Sequence, residues 1–364
     1  QDRFQLTREY IKLQFKKDLR DNQAFAFLRQ PLKSSLEKNA SSVVFKDSVE
    51  FGQDLLLGFA HDYEITLGAR VEYEGQNANT LFVFMSGVGL VLSFNPATGW
   101  RVISSFPFTL RLERPALDLK NIKKQTIDIF GEVYQSYGNA FVQVVNKFNN
   151  VNDQWSSNYF ARLTSVKFHA VVNEKLLQYK IQNFLNTEFI GFSASSNICE
   201  NFNIPLLPFQ ENDALAKRYA VKFTDDLMAQ NAISIPDADL KFEIILRDID
   251  KQLINNTQKG LTYIRRKLVI QLRIIDEFAT TEDKVFFKTF AALEHDDKMP
   301  LGSTEDDTPE RDILFFERLF TKILSSLLVG IQTKNYSALS QLGIQATSVE
   351  KQIPRLLELL KKTR

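Results

Sequence analysis

One short segment holds the side chains best suited to chemistry, the stretch EHDDKMPLGSTEDDTPERD at 294–312. A histidine beside several carboxylates can bind a metal ion or transfer protons. A calcium loop, however, alternates its acids around a central glycine, and this segment lacks that spacing. Asp307 or Thr308 can instead cap a helix that begins at Pro309, where a missing N–H has no cost. We therefore predict a solvated acidic loop that introduces a helix.

Other catalytic patterns are weak. The histidines are scattered at three positions, His61, His169 and His295. Cys199 is the single cysteine, which excludes an intrachain disulfide and a cysteine-based zinc site. Ser86–Gly89 contains a lone Gly-x-Gly, which falls short of a phosphate-binding fingerprint. The sequence predicts no catalytic residue, no cofactor and no metal, and it favours a protein that is not an enzyme.

Charge and composition bear on the partner. The chain has 45 basic and 44 acidic residues, a net charge of +1. A nucleic-acid-binding protein that neutralises several phosphates needs a basic excess. The 31 phenylalanines indicate core and interface surface, because this side chain carries no polar group. We expect a protein partner and no nucleic acid.

The first residue and the hydropathy of the chain bear on location. The chain starts with Gln1 rather than Met, so a leading piece was removed, by a cell or in preparing the protein. No run reaches the ~18 apolar residues of a spanning helix. If the missing piece was a signal peptide, a periplasmic, envelope-associated or secreted protein follows, and the low cysteine content agrees. Membrane association would then require a trimmed anchor.

Two regions show the same order of predicted elements. In the first, strands are predicted at 62–74, 80–94 and 100–113, followed by a helix over 118–149. Turn-forming residues separate these strands. Because short turns join antiparallel strands, we expect a three-stranded meander closed by a helix.

The second region repeats that order. Its strands are predicted at 239–252, 261–275 and 285–293, and its helix at 309–333. A strand at 204–209 and a helix at 213–231 precede this meander.

In element order, 204–333 resembles the periplasmic helper domains of bacterial envelope proteins, such as those of curli secretion. The resemblance implies an envelope location and a role in assembly or secretion.

Apolar and amphipathic segments predict where the core lies. The strand at 80–94 is expected to be buried on both faces, and the helix at 309–333 is apolar enough to be buried on more than one side. Amphipathic helices are predicted at 5–20 and 350–362, the second interrupted by Pro354.

The predicted fold class is α+β, with two modules, each an antiparallel three- to five-stranded sheet packed on a long helix. The polar stretch at 150–165, rich in Asn and Ser, is predicted to be a linker. The modules are therefore placed at 1–155 and 156–364.

Strand 261–275 supplies a candidate interaction surface. Its apolar residues share one face with Arg266, because side chains alternate along a strand. The opposite face carries Tyr263, Arg265, Lys267 and Arg273. A basic face with a tyrosine can bind an anionic partner. Cross-strand pairing with Glu243 or Asp248 is the alternative and needs no ligand.

These observations favour a non-catalytic exported or cell-envelope protein that acts through protein–protein interaction. Two alternatives stay open. A hydrolase or transferase would gather acidic residues with raised pKa values in a cleft between the modules. A carrier of an apolar ligand would need a Phe-lined cavity between sheet and helix.

Overall fold

The computed structural model describes residues 56–73, 76–95, 99–148, 159–209, 233–280, 284–301 and 307–363. Together they form an α+β structure, which confirms the predicted fold class at this level. The strands are β1 (Leu56–Tyr73), β2 (Gln76–Asn95), β3 (Gly99–Pro115), β4 (Ala161–Phe168), β5 (Ile233–Ser234), β6 (Leu240–Asn256), β7 (Leu261–Asp276) and β8 (Val285–Pro300). The helices are α1 (Ile122–Asp128), α2 (Phe130–Phe148), α3 (Ala170–Gln178), α4 (Thr187–Phe202), α5 (Pro309–Thr333), α6 (Tyr336–Gln341), α7 (Ala346–Val349) and α8 (Ile353–Lys362).

Sheet 1 contains its strands in the order β1-β2-β3-β5. β1, β2 and β3 form an antiparallel meander, as the patterns at 62–74, 80–94 and 100–113 predict. β5 adds a short parallel contact beside Trp100 and Arg101. The sheet is therefore mixed rather than purely antiparallel.

Strand β2 lies in the interior, and residues 81–92 are all buried. On one face, Leu81 and Met85 pack with α2. On the other face, Phe82 and Phe84 join the main core with α4 and α5. The prediction of a strand buried on both faces is confirmed.

Sheet 2 contains its strands in the order β4-β6-β7-β8. β6, β7 and β8 are antiparallel, as predicted from 239–252, 261–275 and 285–293. β4 runs parallel to β6, so this sheet is also mixed. β8 continues to Pro300, opposite Leu261 of β7. The prediction of an acidic loop is therefore wrong for the start of that segment, which is strand.

Strand β4 overlaps the stretch at 150–165 that was predicted to be a linker. The prediction is wrong over 161–165, because these residues pair with β6. Ala161, Leu163 and Val166 are buried on the core side. Polar residues lie between these apolar ones, and the preceding residues are rich in Asn and Ser. The segment therefore has the composition of a loop, and the short strand is not evident from its sequence.

The long helices follow the sequence closely. The predicted helix at 118–149 is two helices, α1 and α2, which meet at Ile129. α5 has its predicted bounds, and the Thr308 hydroxyl caps it by accepting a hydrogen bond from the Arg311 N–H at 3.3 Å. Pro354 lies in the first turn of α8 and does not interrupt it, because proline fits the start of a helix.

Helices α3 and α4 have no counterpart in the prediction. Residues 191–199 of α4 are buried around the whole helix. A helix buried on all sides has no polar face, so its sequence lacks the period of an amphipathic helix. Asn186 marks its start, since its side chain accepts a hydrogen bond from the Phe189 N–H at 2.9 Å.

Some predicted elements fall elsewhere. The helices predicted at 5–20 and 213–231 lie outside the described residues. The segment 204–209 contains no strand, but Leu207 forms an isolated bridge with Arg162 of β4.

The main core draws on both sheets. Its members include Tyr63 of β1, Leu272 of β7 and Phe320 of α5. α4 and α5 each contact strands of both sheets. The division of the chain at 155 and 156 stays a prediction.

Candidate protein-interaction surface

The candidate site is the face of sheet 2 that points away from α5, called here the outer face. Strand alternation fixes which side chains lie on it, because inward residues such as Leu268 and Ile270 are fully buried. Its defining side chains are Glu243 and Asp250 on β6, Tyr263, Arg265, Lys267 and Arg273 on β7, and Lys288, Phe290, Glu294 and Asp296 on β8.

The three basic residues predicted on β7 all have acidic partners on neighbouring strands. Arg265 donates from Nε and Nη2 to the two oxygens of Asp296, at 2.7 and 2.9 Å. Lys267 lies 3.5 Å from Glu294, and Arg273 lies 2.7 Å from Glu243. The pairing with Glu243 is one that the sequence offered as the alternative to ligand binding. Whether this face binds a partner stays a prediction.

Two of these pairs, those of Arg265 and Lys267, are solvent-exposed, whereas the Arg273–Glu243 pair is partly buried. The side chains of Arg265 and Asp296 are 41% and 39% exposed. Exposed pairs contribute about 0–1 kcal/mol each to stability. The hydrogen bond from Arg265 nevertheless lowers the pKa of Asp296 below its ordinary value. The pairs therefore order the surface charges more than they stabilise the fold.

A depression of about 210 Å³ lies where the outer face meets α3. Lys175 of α3 donates to Asp248 at 2.8 Å and to Asp250 at 3.2 Å. Three cations and three anions line it together with one amide: Lys175, Arg265, Lys267, Asp248, Asp250, Glu294 and Gln252. Every lining residue is polar or charged, which suits charged groups of a partner better than an apolar ligand.

The pKa shifts of Asp250 and Lys175 in this depression favour the charged form of each group. Partial burial opposes the charge of Asp250, but hydrogen bonds from Gln252 and Lys175 outweigh it and lower the pKa of this carboxyl. Partial burial also opposes the charge of Lys175, and the two aspartates reverse that effect and raise its pKa. Such groups hold fixed charges near neutral pH and are poorly suited to transferring protons.

Phe290 of β8 is an aromatic side chain of the outer face, and it is 48% exposed. The guanidinium of Arg247 lies 5.7 Å from its ring centroid and the ammonium of Lys288 lies 5.8 Å from it. Arg247 is itself held by a 2.8 Å hydrogen bond from Nε to Oε1 of Gln271. Aromatic and arginine side chains dominate the energetics of protein interfaces. Phe290 is therefore an exposed aromatic side chain of the type that contributes strongly to binding at protein interfaces.

A second charged cluster lies on the inner face and was missed by the sequence predictions. Asp297 is only 8% exposed, although the prediction placed it in a solvated loop. It accepts hydrogen bonds from Arg311 Nε and Nη2, at 2.7 and 2.8 Å, and from Arg266 Nη1 at 3.2 Å. Strand alternation separates it from its neighbour Asp296, which faces outward.

The same cluster continues through Asp312 at the start of α5. Asp312 accepts from Arg266 Nε at 2.8 Å and from Lys251 Nζ at 2.7 Å. Lys251 also lies 2.5 Å from Asp307. The guanidinium of Arg266 lies 4.7 Å from the ring centroid of Phe315. Cations and anions are matched within the cluster, so it is structural in character.

This cluster also joins the two sheets. Arg311 Nη1 donates to the carbonyl oxygen of Arg70 in β1 at 2.6 Å. The signal for it was present in the sequence, since Arg266 stands among the apolar residues of the inward face. A charge in that position requires a buried partner.

In the Gly-x-Gly of β2, Gly87 serves packing. A Cβ at Gly87 would lie 2.3 Å from the Tyr137 hydroxyl and 2.8 Å from the carbonyl oxygen of Ala60. Glycine therefore permits α2 to approach the strand, as expected for a close backbone contact.

The acidic alternative would need carboxyl groups with raised pKa values. In the part of the chain that the structure describes, the shifts resolved for carboxyl groups are all downward: Asp118, Asp250, Glu277 and Asp296. No cluster of three His, Cys, Asp or Glu side chains among those residues could hold a metal ion.

Within the described ranges, no helix has both the length and the apolar character needed to cross a bilayer. No protein-family model and no curated protein sequence matches the chain.

Proposed function

We propose that this protein acts by binding another protein through the outer face of sheet 2. The observation that carries the proposal is Phe290, an exposed aromatic ring with two cations, Arg247 and Lys288, within 6 Å of its centroid. It lies on a face with ordered ion pairs. Rigid aromatic anchors surrounded by polar groups are typical of binding hot spots.

The charge pattern supports a specific partner rather than a general electrostatic one. The basic row of β7 lies between acidic residues of β6 and β8, and each basic side chain is paired. A partner whose charges follow the opposite order can align with these rows. A partner surface of uniform charge would be attracted by one row and repelled by the next. Complementary charges contribute mainly to the rate and specificity of association.

For the place of action we propose the cell envelope or the outside of the cell, with a role in assembly or secretion. The support is the part of the likeness in element order that the described residues retain, a three-stranded meander followed by a helix over 239–333, together with the low cysteine content. We also propose that the chain is built as two modules, with sheet 1 backed by α2 and sheet 2 backed by α5. In that arrangement the outer face is the binding surface of the second module.

Site-specific photo-crosslinking in the source cells tests the proposed surface. A photoreactive amino acid would replace Phe290 or Tyr263, and Val329 of α5, which is 42% exposed, provides the matched control. We expect a discrete adduct with a protein from the two positions on the outer face and none from Val329. Equal adducts from all three positions, or none from the outer face, would contradict the proposal.

A further inference from the structure

A second exposed feature is the turn between β3 and α1 together with the start of α1, residues 116–124, called here the Leu117 turn. Leu117 is 91% exposed and Leu119 is 39% exposed. Scattered apolar residues are normal on protein surfaces, so this exposure alone indicates little. Two further observations give it meaning.

The backbone of the turn is held firmly. Asp118 Oδ1 accepts from the N–H groups of Lys120 and Asn121, at 2.7 and 2.8 Å. Gln125 accepts from the Leu117 N–H at 2.7 Å and donates to the Asp118 carbonyl at 2.9 Å. Leu117 is therefore presented to solvent by an ordered turn.

Basic residues follow the two leucines. Lys120, Lys123 and Lys124 are all exposed. Against them the turn carries one acid, Asp118, whose carboxylate is engaged by backbone N–H groups that lower its pKa. Three lysines and one aspartate give the turn a net charge of +2.

Neighbouring acids are largely neutralised. Glu132 of α2 pairs with Arg114, whose Nε donates to it at 3.0 Å, and Glu113 pairs with Arg318 at 2.7 Å. Asp128 lies one turn after Lys124 on α1 and is exposed. With Asp128 included, residues 116–128 carry three lysines and two aspartates, so this segment keeps a net charge of +1.

We propose that the Leu117 turn binds the surface of a membrane that contains anionic lipids. Leu117 and Leu119 enter the boundary between headgroups and acyl chains, and the three lysines contact the anionic headgroups. An apolar tip next to basic residues is the combination that binds at such a surface without spanning it. Each lysine near an anionic surface strengthens binding roughly fivefold. This inference is independent of the protein partner proposed for sheet 2.

Vesicle co-sedimentation of the full chain tests the inference. We expect binding to vesicles of phosphatidylcholine with 30% phosphatidylglycerol, taken as a roughly PS-like anionic surface, and little binding to phosphatidylcholine alone. L117S should weaken binding by about tenfold, because its apolar insertion is lost. K120Q/K124Q should weaken it by roughly 25-fold. L177S removes a leucine of α3 that is 64% exposed, and it should leave binding unchanged.

A fluorescent probe gives a second readout. Cys199 is buried, so a dye that reports polarity can be attached selectively to L117C or to the control L177C. We expect a blue shift from L117C on anionic vesicles and none from L177C. Absence of vesicle binding by the wild-type chain, or equal losses from L117S and L177S, would overturn the inference. If the turn binds a protein instead of a membrane, the wild-type chain would not bind the vesicles.

Discussion

Adjacent aspartates on β8 should differ sharply in what they contribute to stability. Asp297 is 8% exposed and accepts three hydrogen bonds from two guanidinium groups, at 2.7, 2.8 and 3.2 Å. The D297N side chain has nearly the same size, but its amide N–H₂ group would face a guanidinium N–H donor. The substitution also removes one negative charge from a cluster in which cations and anions are equal in number. Loss of one partner from a buried ion pair costs about 3–5 kcal/mol, so we expect D297N to lose about 3 kcal/mol.

D296N is the matched control. Asp296 lies on the opposite face of the same strand and pairs with the exposed Arg265, so its loss should cost about 0–1 kcal/mol. Urea unfolding of the two variants, followed by circular dichroism, measures the difference in midpoint at constant slope. Equal midpoints for D296N and D297N would refute the assignment of a buried charge cluster to the inward face of β8.

Three further outcomes follow from single contacts. G87A should lower the unfolding free energy by about 1–3 kcal/mol, because its Cβ meets the Tyr137 hydroxyl; thermal denaturation measures this, and an unchanged melting temperature would contradict it. T308A should lower the free energy of unfolding by about 1 kcal/mol, because α5 loses its cap; urea unfolding measures this, and an unchanged unfolding midpoint would contradict it. Hydrogen bonds from two lysines lower the pKa of Glu277, so it stabilises the folded state above its unfolded pKa and this contribution fades as the pH falls through the folded pKa. Between pH 6 and pH 3 the wild type should lose more stability than E277Q, and parallel pH profiles would contradict this.

The sequence predicted the meanders and the long helices because their patterns depend on local spacing. Apolar residues alternate along β6 and β7 and recur at helical spacing along α5, so each segment specifies its own buried face. The cap at Thr308 and Pro309 was predictable for the same reason, since capping requires only residues near the helix start.

Elements that depend on tertiary surroundings were harder to predict. α4 lies between other elements and is buried all around, so small residues such as Ser195 replace the usual polar face. β4 is short and gains its place by pairing with β6, which lies far away in sequence. In both cases contacts with elements distant in sequence determine the structure, and the local sequence pattern does not indicate those contacts.

The candidate surface shows the same limit at the level of side chains. Alternation placed Arg265, Lys267 and Arg273 on one face, but the partners of Arg265 and Lys267 on β8 became evident only with the strand register. The end of β8 was predicted too early because acidic residues are common in loops. An inward charge at Arg266 was the signal for acids on the facing strand, since a buried guanidinium requires them.

The most direct test of the proposed interaction is a charge exchange on the outer face, R265E/D296R, in the crosslinking assay at Phe290. The exchange preserves an exposed ion pair, so the melting temperature should change little, while the order of charges presented to a partner is reversed. The matched control is R114E/E132R, which reverses an exposed pair elsewhere on the molecule. We expect the adduct from Phe290 to disappear with the first exchange and to persist with the second. An adduct of unchanged yield in R265E/D296R would contradict binding through the outer face of sheet 2.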